Sequence, residues 1–149
     1  VDRAVLRLLG EVHDAQKEIT ELRRDLARLE FESLLTQVQE VSGVPVLAAH
    51  VQATDMDTLR EMTDWFRNKL GTAVIVLGAV IDDKPNFVAA ITPDLVERGL
   101  KAGDLVKQVA TVVGGGGGGR PTLAQAGGRD AARLDEALAS VPSMVSELL

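Results

Sequence analysis

The chain contains no cysteine and no tyrosine, and aromatic residues make up only 3% of it. Without cysteine there can be no disulfide and no thiolate-ligated zinc, which fits a reducing compartment, and a cytoplasmic location is expected. With so few rings, any core must be built from Val, Leu, Ile and Ala. No stretch reaches the 18 or so apolar residues of a membrane span, and no basic-then-apolar leader opens the chain, so no membrane partner is expected. A basic excess is lacking too. The formal net charge is −6, whereas nucleic-acid binders usually carry a positive face because neutralising phosphate supplies most of their affinity. Any contact with a polyanion must therefore be local.

The 149 residues suffice for one domain with a true core. The chain opens at Val1 rather than Met, inside what reads as a helix, and is expected to be a piece of something larger. Residues Asp2 to Val41 read as one helix of roughly 60 Å. Val5, Leu8, Val12, Ala15, Ile19, Leu22, Leu26 and Leu29 recur at alternating steps of three and four, a heptad seam. The register shifts after Ser33 and Thr36. A parallel pair would bring Glu18 to Arg23 favourably but Asp25 to Glu30 unfavourably, so orientation stays open. A homodimer through Val12, Ile19, Leu22 and Leu26 is one expectation; packing of the lone helix on another segment is the other.

Gly43 reads as the helix stop. Beyond it the pattern predicts a strand from Val44 to Val51 and a helix capped by Asp55, with Met56, Leu59, Met62, Phe66 and Leu70 inward. A doubly buried strand over Ala73–Ile81, a turn over Asp82–Asn86, and a returning strand over Phe87–Ile91 follow. Thr92-Pro93-Asp94 opens a short helical piece, and Leu105, Val109, Val112 and Val113 mark the next helix. Asp130 caps a last helix carrying Leu134, Leu138 and Val141, interrupted or restarted at Pro142. The expected fold is α+β: a helical arm over 1–42, then a globular domain over 43–149 with a small mixed sheet and flanking helices.

Between the last two helices lie Gly114, Gly115, Gly116, Gly117, Gly118 and Gly119, then Arg120-Pro121 and, after Gln125, the pair Gly127-Gly128. Ordering each of these backbones costs roughly 1–2 kcal/mol with no side-chain packing in return. The tract is therefore a linker or a backbone that something approaches closely. Its abrupt stop in Arg120-Pro121 and the absence of serine disfavour a spacer. A dinucleotide fingerprint is met only trivially by poly-Gly and would have to follow a strand; a phosphate P-loop needs Lys and Ser or Thr after the last glycine. What remains is a concave row of amides for anionic oxygens, supported by Arg120 and Arg129, or a loop packed under another backbone.

Elsewhere the chain offers little chemistry. His13 falls on the outer face of the arm and His50 stands alone in a strand, so no metal site is expected. Asp82 and Asp83 read as solvated turn residues, and Trp65 as a partly buried residue at the margin of its helix's apolar face. No nucleophile has a base beside it, so no catalytic residue is assigned.

The string Gly-Gly-Gly-Gly-Gly-Gly-Arg-Pro-x-x-Ala-Gln-Ala-Gly-Gly closely resembles the C-terminal signature of the alanyl-tRNA synthetases, in a module related to the DHH-associated domain of phosphoesterases and nucleases. Thr122 and Leu123 depart from it, where an acidic and a Met-like residue are expected. The resemblance implies a non-catalytic tRNA-binding module that contacts the outer corner of tRNA and helps the aminoacylation and editing domains share it. ATP and zinc belong to those upstream domains, and no cofactor is expected in this piece. It also implies Gly114 through Gly119, Arg120, Gln125, Gly127 and Gly128 as the tRNA-facing residues. The alternatives are a substrate-binding domain of a DHH-type phosphoesterase, whose loop typically ends in histidine after fewer glycines, and a purely structural dimerisation module.

Overall fold

The computed structural model describes residues 2–53 and 55–148. Val1, Thr54 and Leu149, and the side chains of residues 24, 27 and 28, lie outside the described residues, and with them the expected ends of the two units at Val1 and Leu149. The chain divides into two compact units, 1–36 and 37–149.

The first unit is one helix, α1 (Arg3–Leu35), capped by the Asp2 carboxylate, which accepts from the Ala4 N–H at 2.9 Å. Its seam is bare: Val12, Ile19, Leu22 and Leu26 are 48–59% exposed. The helix ends earlier than the apolar pattern predicts. Thr36 folds its hydroxyl back onto the Ser33 carbonyl at 2.6 Å, and Gln39–Val41 form a strand, β1, rather than a last helical turn. Gly43 is therefore not a helix stop. Ser42 and Gly43 both take positive φ, 51° and 83°, and make the two-residue turn of a hairpin in which Val41 faces Val44. Residues 37–42 thus fall in the second unit rather than the arm.

The second unit is a six-stranded mixed sheet in the order β1-β2-β3-β4-β6-β5, with helices on both faces. Strand β2 (Val44–His50) runs through α2 (Met56–Leu70) to its parallel neighbour β3 (Val74–Ile81), and β4 (Lys84–Ile91) returns antiparallel. The turn between β3 and β4 is only Asp82-Asp83, both at positive φ, so Pro85 and Asn86, expected in the turn, belong to the strand. Because Ile81 and Lys84 flank a two-residue turn, Pro85 opposes Val80 at a position where no ladder bond to β3 is due, so its missing N–H breaks no bond of that hairpin. Helices α3 (Pro93–Glu97), α4 (Ala102–Val112), α5 (Leu134–Ala139) and α6 (Val141–Leu148) follow, with a 3₁₀ turn at Ala131–Arg133 where the last helix was expected to begin.

The two faces of the sheet have separate cores. Val46, Val76, Phe87 and Ala89 pack with Leu105, Val109, Leu138 and Val145 of α4–α6. Leu47, Ile75, Leu77 and Val88 point the other way, the side on which α2 buries Leu59 and Phe66. Trp65 stays at the exposed margin of α2, edge-on to Phe66 with ring centroids 5.0 Å apart.

The glycine tract differs most from expectation. It is not a loop but a strand, β5 (Gly116–Gly119), paired antiparallel with β6 (Leu123–Gly127) at the edge of the sheet. β5 shows none of the apolar alternation by which strands are read, because its four residues have no side chain.

Candidate functional site

Most of the glycines have a structural reason to be glycine. Gly114 takes φ +69° just past α4, the left-handed cap position. The Gly115 N–H donates to the Ala110 carbonyl at 2.9 Å and the Gly114 N–H to Thr111 at 3.3 Å, the paired bonds of a Schellman cap. Cβ atoms on Gly115, Gly117 and Gly119 would fall 1.9–2.7 Å from backbone atoms of β6 and Gly128. Gly128 backs onto Val113: its Cβ would lie 2.4 Å from the Val113 Cγ2. On the same side, Gly103 of α4 brings its backbone against that of Gly119. This face is closed, as the packing alternative for the tract requires.

Gly116 and Gly118 are different. A Cβ on Gly116 would meet no atom within 4 Å, and one on Gly118 would meet only the Lys107 Cε at an ordinary 3.5 Å. Neither takes a positive φ, so neither packing nor backbone conformation demands glycine there. Both residues point to the other side of the sheet. Gly118 opposes Gln125, which opposes Val88; Gly116 opposes Gly127, which opposes Asn86. The result is a nearly flat, open surface two residues deep.

A cavity of about 370 Å³ lies on this surface, bordered by Arg60, Val88, Gly118, Gly119, Arg120 and Gln125. Arg120 and Gln125 are thus brought together as the motif implies. Gly127 is half-buried beside Asn86, Gly128 serves as a buttress, and Arg129 does not line the cavity. Thr122 works through its backbone, its carbonyl accepting the Ile91 N–H at 2.9 Å. Two cations were not foreseen. Arg60 comes from α2, where it pairs with Asp57; Lys107 comes from α4 and reaches the edge of β5. Fifty-odd residues of chain separate Arg60 from the glycines, and only the crossover through α2 joins them. Lys107 and Arg120 carry no ion pair among the described residues. Lys107 and Arg120 thus flank a side-chain-free face, with Arg60, paired to Asp57, beside them.

Elsewhere, His13 stands exposed on α1, and Asp82 and Asp83 are exposed in their turn. His50 is not alone: its Nδ1 lies 2.9 Å from the Asp135 carboxylate of α5. Among the described residues no group of three or more His, Cys, Asp or Glu would hold a metal, and no helix is long and apolar enough to cross a membrane.

Comparison with known proteins gives this geometry a context. Residues 43–147 match the DHHA1 domain. The chain is 54% identical to the alanine–tRNA ligase of Bacillus subtilis over 149 residues, all of this chain and 17% of that protein. It therefore spans about a sixth of the length of such relatives. The crystal structure of the C-Ala domain from Aquifex aeolicus alanyl-tRNA synthetase superposes with a TM-score of 0.67 at 26% identity, over 73% of this chain and 97% of that one. The DHH-domain structure of a member of the s1p family of ribosomal proteins shares the fold at a TM-score of 0.54 and 16% identity, covering 99% of this chain and 36% of that one.

Proposed function

The chain belongs to the DHHA1 domain family, and from that premise we propose that it is the C-terminal tRNA-binding module of an alanine–tRNA ligase. The open glycine face carries the reading. Gly116 and Gly118 are glycine where nothing in the fold requires it, which is the condition for a backbone that another surface must touch. Arg60, Lys107 and Arg120 around that face supply charge-assisted bonds to phosphate oxygens, and Gln125 supplies an amide that can donate or accept. The flat, shallow shape suits readout of RNA by form and backbone rather than by base sequence.

In the parent enzyme the module holds the outer corner of the tRNA and helps the aminoacylation and editing domains act on one tRNA in the cytoplasm. It is non-catalytic itself, and ATP and zinc belong to the upstream domains. The bare seam of α1 supports a homodimer through Val12, Ile19, Leu22 and Leu26. With a net charge of −6, the isolated chain binds weakly and by few contacts.

Titration of folded tRNA against the chain and its Gly116→Val variant tests the proposal. Saturable binding that the variant loses, while its melting temperature is kept, supports it. Equal binding by both, or equal preference for an unstructured RNA of the same length, removes it.

A further inference from the structure

His50 ends β2, the first strand of the parallel pair β2–β3, and sits where the carboxyl ends of those strands open between α2 on one face and α5 on the other. His50 borders two cavities there, one of about 580 Å³ on the α5–α6 side and one of about 360 Å³ toward the start of α2. Both are separate from the glycine face.

Asp135 decides what the imidazole can do. A carboxylate only accepts, so the contact at 2.9 Å calls for the proton on Nδ1, and the tautomer that makes it carries a lone-pair acceptor at Nε2. No hydrogen bond is made at Nε2 among the described residues. The larger cavity adds the carboxamides of Gln37 and Gln39, each with one donor and one acceptor end, over an apolar floor of Val46, Ala48, Leu138 and Pro142. Among the described residues no Lys or Arg lines either cavity, and Asp135 is the one acidic side chain that does. The glycine cavity, by contrast, has two arginines. Phosphate is thus repelled here, and a neutral ligand that brings N–H donors is preferred.

We infer that the His50–Asp135 pair heads a second binding site that takes a nucleobase presenting an exocyclic amino group, such as adenine. The amino group donates to Nε2, the adjacent ring nitrogen accepts from a glutamine carboxamide, and the ring lies over the apolar floor. The dimensions fit, since small-ligand pockets run about 300–1,000 Å³. Asp135 acts as a positioning residue that fixes the tautomer.

Adenosine titrated into the whole chain, followed through the imidazole signals of His50, tests this without any RNA, with His13 as an internal reference. Saturable movement of His50 and not of His13 is expected. N6,N6-dimethyladenosine, which has no amino N–H, should bind at least ~10-fold more weakly, a loss of about 1.4 kcal/mol. His50→Ala should weaken adenosine equally, read at the Gln37 and Gln39 side-chain amides. Asp135→Asn, whose carbonyl can still accept from Nδ1, should keep binding that Asp135→Ala loses, and inorganic phosphate should leave His50 unmoved. The proposal is overturned if adenosine moves no His50 signal, if the dimethyl analogue binds as well, or if phosphate competes. Any of these would leave the reading of the glycine face untouched.

Discussion

Gly117 lies directly against Ala126: a Cβ on the glycine would stand 2.4 Å from the Cβ of the alanine, while its neighbour Gly116 faces open space. Adjacent residues of one strand therefore answer to different requirements. Gly117→Ala should destabilise the globular unit by about 1–3 kcal/mol, as overpacking does, and lower its melting temperature. Gly116→Ala should change stability by no more than about 0.5 kcal/mol and register only in tRNA binding. Thermal melts and tRNA titration of the pair check this, and the reverse pattern would mean the two faces are misassigned.

Arg60→Ala, Lys107→Ala and Arg120→Ala should each weaken tRNA binding and make it less sensitive to salt. If each neutralises one phosphate, the slope of log affinity against log salt falls by about 0.7–0.9 per substitution. Arg129→Ala, which removes a cation outside the cavity, should leave the slope unchanged. Affinities measured over a range of salt decide the assignment, and a loss confined to Arg129→Ala would move the contact to the other end of β6.

Val12, Ile19, Leu22 and Leu26 expose about half of their surface or more, an apolar stripe that association would bury. Ile19→Lys with Leu26→Lys should yield a monomer whose globular unit melts unchanged. Sedimentation of the unaltered chain is the prior check, since a monomer at high concentration ends the dimer proposal.

A chain beginning at Gln37 should fold cooperatively, because the core of the second unit is built from residues 37–149. One beginning at Val44 should melt lower. It lacks β1, so the edge of β2 loses its ladder partners and Val44 its facing residue, Val41. Identical melts would show that the hairpin contributes nothing.

Asp94 should make the unit sensitive to acid. Hydrogen bonds first from Thr92 and then from Thr72, the latter at 2.8 Å, hold its carboxyl below the ordinary value. The Thr58 amide and hydroxyl do the same for Asp55 at the start of α2. A carboxyl whose pKa is lower folded than unfolded stabilises fully above the ordinary range and loses that contribution as pH falls through the folded value. Melting temperature should therefore drop on acidification below about pH 4. Asp94→Asn and Asp55→Asn should lower it at neutral pH and narrow the drop. An unchanged acid profile in both variants would refute the assignment.

Where side chains carried the pattern, the sequence was legible. The seam of α1, the apolar runs of β2 and β3, the cap at Asp55 and the odd glycine string all follow from local chemistry: a period, a carboxylate before a helix, a backbone with nothing attached. Those features determined the fold class and pointed to the site. The same logic failed where side chains were missing or ambiguous. Four glycines have no period, so β5 passed for a loop, and Gly43 serves a helix stop and a hairpin turn equally well. Tertiary structure alone decided which glycines are held by packing and which are open, because that depends on where the backbones of β6, Gly128 and Gly103 approach the tract. It alone brought Arg60 to Arg120 and Asp135 to His50, since no local rule measures the distance between residues that a parallel crossover and a returning helix place side by side.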